Sequence, residues 1–291
     1  MRILLTGAGG QVGFELARTL ASLGEVRAFD HASLDLADAD ALVAACRGLG
    51  PGLIVNAAAY TAVDKAESDD ARAHAVNGLA PGVLAGEAKR LGAVLVHYST
   101  DYVFDGRKRT PYEEGDATRP LNAYGRSKLE GEQAIAASGC KHLVFRTSWV
   151  YGPRGRNFLA TMLALAATRE EIRVVDDQRG APTSSLFLAE ATARALSAIP
   201  REGVASGIYH LSAAGETTWA GFARAIFERA RARPGFRVPR VVPIPTSAYP
   251  TPARRPRYSV LSGRKFAAAF GFASSGWEAQ LDACFARLGN A

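Results

Sequence analysis

Short apolar runs alternate with amphipathic stretches over the first half of the chain. "RILLTG" (residues 2–7) reads as a buried strand, "QVGFELARTLASLG" (11–24) as a helix ending in Gly24, and "VRAFD" (26–30) as a second strand. "LADADALVAACRGLG" (36–50) is helical, "LIVNAAA" (53–59) a strand, and "DDARAHAVNGLAPGVLAGEAKRLG" (69–92) a long helix. "AVLVHYST" (93–100) is a strand, "NAYGRSKLEGEQAIAASG" (122–139) a helix, and "HLVFRTSWVYG" (142–152) another strand. Such alternation implies an α/β fold with a doubly wound parallel sheet covered on both faces. After Gly152 the rhythm loosens. "NFLATMLALAATREE" (157–171), "SSLFLAEATARALSAI" (184–199) and "TWAGFARAIFERARA" (218–232) read as helices, and "GIYHLSA" (207–213) as a strand. The proline-rich "VPIPTSAYPTPARRPRYSVLS" (242–262) is a poor candidate for regular structure. The pattern predicts a first domain over 1–152 to which 184–213 returns, and a smaller mixed α/β domain from 153–183 and 214–291.

Composition narrows the class. The 291 residues are 48% hydrophobic and 22% charged, an ordinary soluble profile, and no apolar run approaches a membrane span. The start, "MRILLTGAGG", lacks the apolar core and cleavage site of a signal peptide. Cys46, Cys140 and Cys284 are far apart and form no CxxC, which argues against a disulfide or zinc scaffold and for a reducing cytoplasm.

The net charge of +7 is unevenly spread. Residues 1–150 carry 16 positive and 18 negative groups, whereas 151–291 carry 19 and 10. Ten arginines and a single acid, Glu228, lie between Arg224 and Arg264. Arginine suits phosphate because its planar fork donates paired hydrogen bonds. No nucleic-acid-binding motif accompanies the charge, so a small anionic substrate or plain surface composition fits it.

"TGAGGQVG" places Gly7, Gly10 and Gly13 in a GxxGxxG pattern between the first strand and the first helix. A glycine triplet alone is a weak signal, but this one sits in the first βα turn, where backbone N–H groups and a helix N-terminus receive a pyrophosphate. The prediction is a Rossmann-type NAD(P)-binding domain. Asp30 ends the second strand, at the distance where a carboxylate binds the adenosine ribose. That carboxylate repels a 2′-phosphate and favours NADH, unless Arg2, Arg27 or His31 offsets its charge. Asp35 and Leu36 fit either an adenine contact or, for Asp35, a helix N-cap. Small residues in "NAAAY" (56–60) let backbone lie against a cofactor, or simply pack helix on sheet.

Ser99, Thr100 and Asp101 end a strand, and ligands in open parallel sheets gather outside those ends. Tyr124 and Lys128 lie one helical turn apart, a spacing that any solvated helix face also shows. Together with Thr100 they make a chemical set. A phenol titrates at about 10, and a nearby ammonium would lower that, improving an acid/base for an alcohol–ketone pair.

The glycine turn, Thr100 and Tyr124-xxx-Lys128 resemble the extended short-chain dehydrogenase/reductases. "GQVG", "NAAAYTAVDKAE", "STDYVFDG", "YGRSKLEGE", "RTSWVYG", "NFLATML", "DQRGAPT" and "YPTPARRP", spread from residue 10 to about 256, resemble one family among them, the dTDP-4-dehydrorhamnose reductases. The resemblance implies NAD(P)H-dependent reduction of the C4 ketone of dTDP-4-dehydro-β-L-rhamnose to dTDP-β-L-rhamnose, a bacterial cell-envelope sugar donor. It also implies use of both NADH and NADPH. It places cofactor contacts at Gly10, Gln11, Val12, Asp30, Asp35, Leu36, Ala59, Tyr60, Thr61, Tyr124 and Lys128. It makes Tyr124 the proton donor, tuned by Thr100, and assigns the nucleotide sugar to Thr100, Asp101 and Trp149. From the residues alone Trp149 reads as a core aromatic. Arg254 and Arg255 in "ARRP" are placed near the diphosphate. Some members hold Mg²⁺ between the subunits of a homodimer through acidic side chains. Glu15 fits that pattern, but Ser184-Ser185-Leu186 stand where a further acid is wanted, so no such metal is expected here. The rival readings are a nucleotide-sugar 4-epimerase or dehydratase, and a non-catalytic regulatory subunit.

Overall fold

Residues Arg2–Thr6 form a strand, β1, in which Ile3, Leu4 and Leu5 are sealed from solvent. Burial on both faces is what a strand inside a parallel sheet requires. A computed structural model of the chain describes residues 1–198, 203 and 205–288. After β1 come α1 (Gln11–Thr19), β2 (Glu25–Phe29), α2 (Ala39–Leu49), β3 (Leu53–Asn56), α3 (Asp70–His74), α4 (Ala80–Leu91), β4 (Val94–Thr100), α5 (Ala123–Ser138) and β5 (Lys141–Thr147). The second half holds β6 (Val150–Tyr151), α6 (Phe158–Ala166), β7 (Glu171–Val175), β8 (Arg179–Gly180), β9 (Thr183–Ser184) and α7 (Ser185–Ala198). It continues with β10 (Gly207–His210), β11 (Thr217–Thr218), α8 (Trp219–Ala230), β12 (Arg240–Ile244), α9 (Arg264–Phe270) and α10 (Trp277–Leu288).

Six parallel strands form the central sheet in the order β10-β5-β4-β3-β1-β2. The predicted α/β sheet is present. Its order reverses at β1, which has β2 on one side and β3 on the other, and a crevice opens at such a switch point. Leu16 of α1, Leu20 just after it, and Leu188 and Ala195 of α7 cover one face. Leu42, Cys46, Leu84, Ala88 and Ile135 cover the other. A separate apolar cluster joins α6, β7, α8 and α10 around Leu159, Ile172, Phe222 and Leu281.

Several elements depart from the sequence reading. The strand expected over 142–152 breaks after Thr147, and Val150–Tyr151 pairs instead with β9. At the break Trp149 has φ 47°, the only non-glycine with positive φ among the described residues. The long helix expected over 69–92 contains a π turn, Ala75–Leu79, between α3 and α4. Pro81 lacks the N–H that would bond the Asn77 carbonyl in a regular helix. That carbonyl instead abuts Gly131 of α5, where a Cβ would lie 2.2 Å from it. α1 stops at Thr19 and a 3-10 turn, Leu20–Ser22, carries the chain to Gly24, whose close approach to Met1 leaves no room for a side chain. α6 likewise stops at Ala166, and Glu171 opens β7. The proline-rich stretch holds part of β12, which pairs in parallel with β7 alone, so Pro243 is tolerated in a two-stranded ribbon. Helices α9 and α10 had no counterpart in the periodicity reading. Ile199, the expected last residue of the 184–199 helix, lies outside the described residues.

Candidate active site

The C-terminal ends of β1, β3, β4 and β5 open into one cavity of about 1440 Å³. Gly7 begins its floor with φ 75°, and a Cβ there would come within 2.6 Å of the Ala58 nitrogen. Only glycine allows the β1–α1 turn to lie so close to the segment after β3. Gly10 provides no side chain to cap α1, and no acid lies in the first helical turn. The N–H groups and positive dipole end of α1 therefore remain available to an anion. Gly10, Gln11 and Val12 line the cavity; Gly13 does not. A Cβ on Gly13 would sit 2.0 Å from the Gly7 carbonyl oxygen, so this glycine packs α1 against the turn rather than meeting a ligand.

Asp30, Asp35 and Leu36 line the far end. The Asp30 carboxylate accepts from the Ser33 N–H (2.9 Å) and hydroxyl (2.7 Å), which hold it below the ordinary carboxylate range. Asp35 accepts from the Ala37 N–H at 2.9 Å and pairs with Arg72 at 2.8 Å, and both contacts lower its pKa. It is not the cap of α2: Asp38 accepts from the Ala41 N–H and fills that role. Arg2, a candidate to offset Asp30, begins β1 at the opposite end and lies beside Gly50. His31 and Arg72 line the cavity together with Asp30.

Ala59, Tyr60 and Thr61 form one wall. Asn77, within the π turn, accepts from the Tyr60 N–H at 2.9 Å and donates to the Tyr60 carbonyl and the Ser127 hydroxyl, both at 3.1 Å. The Tyr60 hydroxyl donates to Asp69 at 2.9 Å. The break in helical spacing thus fastens the wall to α5.

Thr100, Tyr124 and Lys128 meet in the middle of the cavity. Asn122 caps α5 by accepting from the Gly125 N–H at 2.8 Å, and Glu67 accepts from the Ala123 N–H at 2.7 Å. These bonds set Tyr124 edge-on to Tyr102, with ring centroids 5.9 Å apart. Burial pushes the Tyr124 phenol up to about 12, against the pull of the Thr100 hydroxyl beside it. Lys128 does not produce the lowered phenol expected from sequence. Its nitrogen donates to the Tyr98 carbonyl at 2.6 Å and lies 3.1 Å from His97 Nε2. Burial lowers Lys128 to about 8. Asp101 is buried between the hydroxyls of Thr100 (3.1 Å) and Ser148 (3.2 Å), and desolvation raises its carboxyl to about 6.

Trp149 is a wall of the cavity and not a core residue. Its ring lies over Gly180, where a Cβ would be 2.5 Å away, and stacks on Trp219 at 3.5 Å and 4°. Gly9, Thr147, Arg156 and Trp219 also line the cavity without having been singled out. Thr147 carried no readable signal, because the strand expected from sequence runs on to Gly152, whereas the observed strand ends at Thr147, opposite Thr100.

Neither Arg254 nor Arg255 lines the cavity. Arg255 pairs with Asp64 at 2.7 Å, and the Arg254 carbonyl accepts from Asn122. Much of the arginine surplus is spent likewise, on Arg229–Asp282, Arg231–Glu228, Arg240–Glu171 and Arg264–Glu113. Glu15 lies 3.6 Å from Arg18, which reaches Glu190 at 3.9 Å. No group of three or more metal-binding side chains occurs among the described residues.

The family described as RmlD substrate binding domain matches residues 1–290. A dTDP-4-dehydrorhamnose reductase of Burkholderia thailandensis is 53% identical over 98% of each chain. The crystal structure of a dTDP-4-dehydrorhamnose reductase from Clostridium acetobutylicum superposes with TM-score 0.93 at 36% identity, covering 99% of this chain and all of that one. That of the Bacillus anthracis enzyme in complex with NADP gives 0.91 at 34%, covering 98% and 99%.

Proposed function

Because this chain belongs to the dTDP-4-dehydrorhamnose reductase family, we propose that it reduces the C4 ketone of dTDP-4-dehydro-β-L-rhamnose to dTDP-β-L-rhamnose with NADPH or NADH. The observation that carries the reading is the meeting of Thr100, Tyr124 and Lys128 in a cavity that begins at an uncapped helix N-terminus. The cavity suits a dinucleotide: the Gly7 turn admits backbone close to a pyrophosphate, and Asp30 keeps one carboxylate oxygen free of the Ser33 contacts for a ribose hydroxyl. When bound, the reduced nicotinamide supplies the hydride. Tyr124 holds the proton destined for the C4 oxygen, and a phenol raised by burial keeps that proton until negative charge develops beside it. Thr100 orients the same oxygen with its hydroxyl. Lys128 has donor capacity left for the nicotinamide ribose beyond its bond to Tyr98. Asp101 and Trp149 flank the sugar.

We place the reaction in the cytoplasm, by a homodimer, with residues 153–183 and 214–291 as the sugar-binding domain. No described helix is long and apolar enough to cross a membrane. A dehydratase would need a base beside Asp101, and the residue there is Tyr102, a phenol that burial raises further. The test is loss of nicotinamide absorbance with dTDP-4-dehydrorhamnose, using NADPH and NADH side by side. Absence of oxidation with both would refute the reading.

A further inference from the structure

Beneath Lys128 runs a buried chain of polar side chains. Thr6, Asn56, His97 and Lys128 are each at most 1% exposed. The Asn56 carbonyl oxygen accepts from the Thr6 hydroxyl at 2.7 Å and from the Ala58 N–H at 3.2 Å. A backbone N–H can only donate, so the amide orientation is fixed and Asn56 Nδ2 faces His97 Nδ1, 3.1 Å away. That NH₂ group can only donate as well, so Nδ1 must carry the lone pair and the ring proton must be on Nε2. Nε2 lies 3.1 Å from the nitrogen of Lys128. An ammonium there would set donor against donor. An amine satisfies every member: Asn56 donates to Nδ1, Nε2–H donates to the lysine lone pair, and Lys128 donates to the Tyr98 carbonyl.

We propose that His97 is a positioning residue that donates from Nε2 to Lys128 and favours its uncharged amine over the ammonium in the unliganded protein, so that forming the ammonium costs the chain its Asn56–His97 bond. Other groups around Lys128 do not compel this. Glu132, one turn along α5, favours the ammonium, but it is committed to Arg146 of β5 at 2.6 Å and to the Ser99 hydroxyl at 2.5 Å. Tyr124, on the same helix, and Tyr98, on β4, are phenols that burial keeps protonated. Burial lowers both Lys128 and His97, consistent with an imidazole and an amine side by side. The bearing of this charge state on reduction rests on the proposed function; the charge state itself does not.

Nitrogen-15 NMR of the histidine-labelled full chain without ligand, at pH 9, tests the assignment. His210, the other fully buried histidine, supplies an internal contrast, because its Nδ1 faces the Tyr112 carbonyl at 3.0 Å and must be protonated there. The two buried rings should show opposite tautomers, His97 with hydrogen on Nε2. Hydrogen on His97 Nδ1 would overturn the proposal. In carbon-13 lysine spectra, the Lys128 titration midpoint should lie below the ordinary lysine value of about 10.4 and rise by about one pH unit in a folded His97→Asn variant, the worth of one hydrogen bond. An unmoved midpoint would also overturn it. Neither measurement uses a nicotinamide cofactor, so failure of the chain to oxidise NADPH would count against the reductase reading alone.

Discussion

Asp101→Asn should make the protein more stable at neutral pH while leaving it unchanged in acid. The carboxyl is 2% exposed, held by the hydroxyls of Ser259, Thr100 and Ser148, and raised by desolvation to about 6. In the unfolded chain the same group titrates at about 3.9. Between those values the native state binds more protons than the unfolded state, so this group's contribution to stability falls as pH rises from about 4 to about 6 and stays lower above. The gap between the folded and unfolded values caps the effect at about 3 kcal/mol. Asparagine carries no charge at any pH, and the hydroxyls of Thr100 and Ser148 can each turn to donate or accept. At pH 8 a gain of about 2 kcal/mol should raise the unfolding midpoint by roughly 3–4 °C. Thermal unfolding of both proteins from pH 4 to pH 8 gives the difference curve. It should be near zero at the acid end and grow with pH through 6. A flat curve, or an asparagine variant that loses ground as pH rises, would show that Asp101 is stabilised as its anion and that the desolvation argument is wrong.

Tyr124→Phe should keep NADPH affinity by fluorescence titration and lower turnover by roughly 100-fold or more, the range for losing a general acid; near-normal turnover would remove the phenol from the mechanism. Arg255→Met should cost about 1–2 kcal/mol of stability by unbinding Asp64, with unchanged Michaelis constants; a weakened constant for the nucleotide sugar would return this arginine to the diphosphate. Incubation with dTDP-glucose and catalytic NAD⁺ should yield no 4-keto-6-deoxy sugar, and accumulation of that product would make the enzyme a dehydratase. The preference between NADPH and NADH, measured as kcat/KM, should stay within about 100-fold, roughly 2.7 kcal/mol in transition-state terms.

The central sheet was legible because its inner strands are buried on both faces and three of its helices end at glycines, signals that stay local. Gly50, Gly92 and Gly139 close α2, α4 and α5 in the left-handed conformation. Breaks imposed by tertiary contact were not legible. Nothing in "RTSWVYG" announces that the chain changes sheets at Trp149, since the partner, β9, lies more than thirty residues on. Pro81 was visible, but its effect depends on a carbonyl meeting Gly131 across a helix interface. In the cavity, spacing identified Tyr124 and Lys128, yet it could not show that Lys128 donates to Tyr98 or that a histidine lies beneath it. Nor could a composition rich in arginine say that Arg255 finds Asp64.

The stacked rings of Trp149 and Trp219 give the protein an optical property. The chain has three tryptophans, and two of them lie face to face at 3.5 Å and 4°, leaving Trp277 half-buried elsewhere. Indoles that close share their electronic environment, so the pair should absorb and emit differently from Trp277, which stands apart from it. Both rings wall the cavity. A ligand that parts or covers them should change their emission, so occupancy should be readable in unlabelled protein by light alone.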